Sequence, residues 1–117
     1  MDMNLKVKIY LENENEKFMG IGVLWLLQKI GETGSLRSAA NELGISYSKA
    51  YNMISNLEKA LGKAVIERRQ GGQERTGSVL TPFAVKFIKL YDEFQLQCKD
   101  LLDKPFNKFS KDLAKLK

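Results

Sequence analysis

Apolar and polar residues alternate strictly near the start of the chain. Leu5, Val7, Ile9 and Leu11 are separated by Lys6, Lys8 and Tyr10, and Glu12 follows. A period of two predicts a strand over 5–12 with one buried face. The polar run NENEK at 13–17 breaks it, and the pattern then changes. From Phe18 to Ile30 the segment FMGIGVLWLLQKI is apolar over more than one helical stripe. Such a helix either lies at the centre of a core or packs on a core and also meets a partner. The residues GETGS close it.

Ser35 is a good N-cap for a second helix, on which Leu36, Ala39, Ala40 and Leu43 share one face. Gly44 follows as the turn residue, where a positive φ costs glycine least. Ser46 caps a third helix with Ala50, Met53, Ile54, Leu57 and Leu61 inward, and Gly62 stops it. AVIERR and SVLT read as two short strands joined by the charged loop QGGQERTG, a hairpin over 64–81. Thr81 then caps a long helix with Pro82 at its first position, predicted to end near Lys104, before Pro105. Along it Ala84, Phe87, Tyr91, Phe94, Cys98 and Leu101 step by three and four, the seam of a coiled-coil contact. Residues 105–117 read as a basic tail.

Ala40, Gly44, Ile45, Ala50 and Met53 have the sizes and spacing of a helix-turn-helix over 35–61: a small residue at the crossing, a glycine turn, and apolar locks. Followed by a hairpin, this motif is a winged helix. The fold class is therefore mainly α with a small β component. It is a winged helix-turn-helix over 1–81, with an N-terminal strand and a long C-terminal dimerisation helix over 82–104. Val23, Trp25 and Leu26 from the first helix are the candidate dimer contacts, with Phe87, Tyr91, Phe94, Cys98 and Leu101 from the last.

The outward face of the third helix carries the candidate chemistry. At about 100° per residue, Ser48, Asn52, Ser55 and Lys59 lie opposite the apolar stripe, flanked by Lys49, Tyr51 and Asn56. Amides, hydroxyls and ammonium groups suit base edges and phosphates. Ser35, Arg37, Ser46 and Tyr47 join them from the preceding helix and the turn. Arg68, Arg69, Gln73 and Arg75 on the hairpin are placed to meet phosphates. Glu58 and Lys59 read as solvated.

Charge sharpens this picture. The 117 residues carry a formal charge of +5 with a pI near 9.3, which favours a polyanionic partner. Residues 35–78 hold seven Lys/Arg against four Asp/Glu, and residues 99–117 hold six against three. The basic excess travels with the helix-turn-helix and the tail. There is no histidine, the usual acid–base residue and metal ligand, and no nucleophile motif. An enzyme, a metal and a cofactor are therefore not expected. One cysteine, Cys98, cannot form an internal disulfide and reads as a packed thiol. No signal peptide or membrane span is visible, so a cytoplasmic protein is expected. The competing reading is a winged-helix interaction or dimerisation module that does not bind DNA specifically.

GISYSKAYNMISNLE resembles the recognition segment of the ModE-type, molybdate-dependent transcriptional regulators. VIERRQGGQERTGSVLTPFAVKFIKLYDEF resembles their wing and following helix, and LysR-type regulators share the broader plan. The resemblance implies a homodimeric domain that binds double-stranded DNA at a pseudo-palindromic operator and dimerises through its first and last long helices. Glu74, Arg75 and Thr76 depart from a wing usually richer in glycine, and Ala84 stands where glycine is usual. Such regulators continue into a molybdate-binding domain beyond the point where this sequence stops. No small-molecule ligand is therefore expected for this chain, and molybdate is expected to leave its DNA affinity unchanged.

Overall fold

A computed structural model describes residues 2–69 and 77–117. Its elements run β1 (Leu11–Asn13), β2 (Glu16–Met19), α1 (Ile21–Thr33), α2 (Leu36–Leu43), α3 (Tyr47–Leu61), β3 (Ile66–Arg69), β4 (Gly77–Leu80) and α4 (Pro82–Leu116). Two antiparallel hairpins, β1–β2 and β3–β4, flank the three-helix unit.

The N-terminal strand differs from the expectation. Residues 5–10 keep the alternation, with Val7 and Ile9 half-buried and Lys6, Lys8 and Tyr10 exposed, but the ladder begins only at Leu11. The reason is the partner. NENEK does not end the sheet but turns it: Glu14 and Asn15 take φ of 52° and 67°, a two-residue turn with both central residues left-handed, and Glu16–Met19 returns along β1. Leu11 faces Met19, and beyond Met19 the chain enters α1, so residues before Leu11 have no strand beside them. Among the described residues the Tyr91 hydroxyl holds that segment, donating to the Ile9 carbonyl at 2.7 Å. Burial pushes the Tyr91 pKa up, which keeps the hydroxyl protonated as a donor.

The core gathers Leu24, Leu26, Leu27 and Ile30 of α1, Ala39 and Ala40 of α2, and Ala50, Ile54 and Leu57 of α3. Met19, Val65, Ala84 and Tyr91 close its edges. Alanines at the crossings let the helices approach, and each fully buried large side chain contributes about 1.5–3 kcal/mol. At Gly31 an added Cβ would stand 3.1 Å from Leu80 Cδ1, so the absent side chain lets β4 lie against α1. Ser78 N–H donates to the Gly34 carbonyl at 2.8 Å, which ties the wing to the end of that helix. Thr81 fixes the start of α4: its hydroxyl donates to the Ala64 carbonyl at 2.8 Å and accepts from Ala84 N–H at 3.1 Å.

Two further expectations are corrected. Val23, Leu26 and Tyr91, assigned to a dimer contact, are 7%, 0% and 3% exposed. They are consumed by the core of a single chain, Val23 and Leu26 from α1 and Tyr91 from α4. The last helix also continues through Pro105 to Leu116 rather than ending at Lys104. The proline forfeits one N–H and crowds the carbonyl of Leu101, yet its fixed φ is helical and the flanking turns carry the helix on. Lys108 and Asp112, paired at 2.7 Å one turn apart, lie beyond it. The tail is thus helical, and the molecule extends 66 Å along its longest axis.

Candidate nucleic-acid interface

The helix-turn-helix is locked by backbone bonds that its sequence specifies. Gly44 sits at φ 71°, its N–H reaching the Asn41 carbonyl at 3.2 Å, and Ile45 N–H reaches the Ala40 carbonyl at 3.0 Å. Ser35 Oγ accepts from Ser38 N–H at 3.1 Å, and Ser46 Oγ accepts from Lys49 N–H at 3.0 Å. Both serines were candidates for DNA contact. Their oxygens cap helices, so their first task is to aim α2 and α3.

The face of α3 is open. Tyr47, Ser48, Lys49, Tyr51, Asn52, Asn56 and Lys59 are exposed, and Ser55 is half-buried. The structure joins some of them in a way that helical periodicity did not reveal. Arg37 Cζ lies 4.6 Å from the Tyr47 ring centroid, the Tyr47 and Tyr51 rings stand 6.4 Å apart, and Arg68 Cζ lies 5.6 Å from Tyr51. This ladder runs from α2 across α3 to β3. Each cation–π contact is worth about 0.5–1 kcal/mol at an exposed site, enough to bias where the guanidinium groups rest. A shallow concavity lined by Tyr47, Ser48, Tyr51, Asn52 and Arg68 opens beside it. Among the described residues no acidic side chain pairs with Arg37, Lys49 or Arg68. The surface therefore offers positive charge beside amide and hydroxyl groups.

On the wing, Ile66 faces Leu80 and Arg69 faces Gly77, so β3 carries Arg68 and Arg69 at successive positions. Gln73 and Arg75, also candidates, lie outside the described residues, as do Gly71 and Gly72.

Glu58 corrects another expectation. Its carboxylate accepts from Val65 N–H at 2.8 Å and Ile66 N–H at 3.5 Å, and the residue is half-buried. Rather than being solvated, it clamps the root of the wing to α3. A carboxylate eight residues before a strand start has no periodic signature, which is why the pattern missed it. Glu58→Ala is expected to lower unfolding stability by about 1.5–3 kcal/mol, the range for a hydrogen bond to a charged group, measured by urea denaturation at fixed protein concentration. A loss below a few tenths would show that the clamp is idle.

Several candidate dimer residues remain on the surface. Trp25, Phe94 and Leu101 are 52%, 44% and 77% exposed, and Leu90 is exposed beside them; Phe87 and Cys98 are half-buried. Among the described residues no helix is long and apolar enough to cross a membrane.

The model of the lysR-family bacterial regulatory helix-turn-helix protein matches residues 22–84. The molybdenum-pterin-binding protein MopB of Rhodobacter capsulatus is 36% identical over 84 residues, covering 72% of this chain and 31% of that protein. The DNA-binding transcriptional dual regulator ModE of Escherichia coli K12 is 30% identical over 90 residues, covering 77% of this chain and 34% of its own. This chain thus spans about a third of the length of the curated relatives it matches. Among solved structures, the DNA-binding domain of CbnR in complex with DNA has a TM-score of 0.57 at 22% identity, covering 74% of this chain and 93% of that one. That likeness bears on the fold: four helices with a small hairpin wing. By its helix-turn-helix, which the matched residues contain whole, the chain belongs to the lysR family of bacterial regulatory helix-turn-helix proteins.

Proposed function

We propose that this chain is the DNA-binding part of a transcriptional regulator, acting in the cytoplasm as a homodimer on a pseudo-palindromic operator. The observation that carries the reading is the exposed Arg37–Tyr47–Tyr51–Arg68 ladder beside Asn52, which sets base-reading and phosphate-binding groups on one surface. Tyr47, Ser48, Lys49, Tyr51 and Asn52 read bases from the first half of α3, with Ser55 and Asn56 further along it. Arg37 and Arg68 meet the backbone. Trp25, Phe94 and Leu101, with Leu90, supply the exposed apolar surface for the second copy. The names of ModE and of the CbnR complex agree with binding to DNA. Selection of bound DNA from a random pool at stated salt tests this. An enriched inverted repeat with half-sites about one helical turn apart, or a multiple, is expected. No enrichment from a folded, dimeric protein would favour the interaction-module reading.

The wing contribution is electrostatic. Arg68→Ala is expected to weaken binding to every sequence and to lower the slope of log affinity against log salt by about one. An unchanged slope in a salt titration would place Arg68 away from the phosphates.

A further inference from the structure

We infer that residues 6–12 pair antiparallel with the same residues of a second copy, merging the two N-terminal hairpins into one four-stranded sheet, β2–β1 against β1–β2. This rests on the homodimer reading and specifies one of its contacts.

Residues 5–10 have the side-chain order of a strand without its hydrogen bonds. Exposed Lys6, Lys8 and Tyr10 alternate with half-buried Val7 and Ile9, yet among the described residues none of their backbone groups bonds to another backbone group. An extended segment whose N–H and C=O groups face outward unpaired is a template for another strand.

Two independent observations say which groups face the open edge. Asn13 and Glu16 flank a two-residue turn, the position of a mutually bonded pair. The register shifts between Leu11 and Glu12, but the extra residue, Phe18, lies on β2, so β1 keeps its own alternation: Asn13 and Leu11 direct their backbone groups toward β2, while Glu12 and Tyr10 direct theirs away. By the same alternation Ile9 faces inward, and its carbonyl is indeed taken by Tyr91. Both routes leave Lys6, Lys8, Tyr10 and Glu12 facing the free edge.

Charge and size then select the register. Pairings that keep like faces together differ by where the two-fold axis falls. Centred on Val7, Lys6 opposes Lys8; centred on Lys8, that lysine opposes itself. Centred on Tyr10, apolar Val7 opposes polar Asn13. Centred on Ile9, Lys6 meets Glu12, Lys8 meets the Tyr10 ring, Val7 meets Leu11, and Ile9 meets its own copy. Centred on Tyr10 the charges also match, with Lys8 against Glu12, but the matched stretch covers residues 8–12 alone. The Ile9 register matches charge outside and apolar contact inside over all of residues 6–12, ending where Leu5 would meet Asn13. It also makes Lys8–Tyr10 a bonded pair and Ile9–Ile9 a close, non-bonded one, as the edge assignment requires.

The test is symmetric crosslinking. In a Cys98→Ser background, Ile9→Cys should form an interchain disulfide under mild oxidation, because non-bonded antiparallel partners stand about 4.5 Å apart at Cα, within disulfide reach. Val7→Cys should not, since its own copy lies four residues along the strand, about 13 Å away. As a second measurement on exposed residues, Lys6→Glu should weaken dimerisation about two- to thirty-fold over its two symmetric pairs, and adding Glu12→Lys should restore it. Light scattering of the unsubstituted chain separates the two readings. A dimer that crosslinks at position 9 but not 7, with charge reversal rescued, supports the strand pair. A dimer with neither crosslink nor rescue, or with equal crosslinking at 7 and 9, overturns it and leaves the homodimer standing. A monomer at micromolar concentration overturns both. Should Ile9→Cys not fold by circular dichroism, rescue or its absence decides.

Discussion

Asn52→Ala is expected to cost about 1–3 kcal/mol of binding to the selected operator, concentrated at one base-pair position, while binding to random DNA stays nearly unchanged. Asn52 is exposed, lines the concavity with Tyr51 and Arg68, and is not a member of the cation–π ladder. Its removal takes away an amide that can make two bonds to a base edge and disturbs little else. Tyr51→Ala should behave differently. Tyr51 lies tilted beside Tyr47 and supports Arg68, so its loss also releases a guanidinium from its resting place. Specific and non-specific affinity should then both fall. Competition titrations with operator and scrambled duplexes at one salt concentration distinguish the pair. Equal losses on both duplexes for Asn52→Ala would remove it from the base-reading set.

Leu57→Ala should be the more damaging change to the fold, lowering unfolding stability by about 2–5 kcal/mol. Leu57 is fully buried on the inner face of α3, in the core cluster with Leu27, Ile30 and Val65. Its truncation leaves a cavity beneath the helix whose outer face presents Asn52. Against a total stability of about 5–15 kcal/mol, that loss is severe. Denaturant unfolding at fixed protein concentration should show a lower midpoint with an unchanged slope. Operator affinity, measured where the variant is still folded, should move far less than it does for Asn52→Ala. A stability loss under 1 kcal/mol would mean that the core beneath α3 is looser than its burial implies.

The helix-turn-helix was legible because its information is local. Ser35, Gly44, Ser46 and Gly62 act within one turn of themselves, and each adopts the cap or left-handed geometry its chemistry favours. The apolar stripe of α3 likewise predicts its own outer face, since periodicity alone sets which side chains oppose Ala50, Ile54 and Leu57. The wing and the start of the last helix follow from Thr81 and Pro82 in the same manner.

What the linear pattern left open depends on distant partners. Period two marked residues 5–12 as strand-like, but a ladder needs a neighbour, and β2 reaches back only as far as Leu11. An apolar run marked α1 as needing cover on two sides, but only packing decided that Val23 and Leu26 turn inward while Trp25 stays out. Pro105 reads as a stop because its ring forbids one hydrogen bond, whereas the helical turns on either side outweigh that loss. Glu58 and the Arg37–Tyr47–Tyr51–Arg68 ladder join residues from different elements. The caps, the turn glycines and the inner and outer faces of α3 were readable from the residues alone, because neighbours along the chain set them. Which faces are spent within one chain and which stay exposed was settled only by packing, because burial and cross-element contacts exist only once the helices have come together.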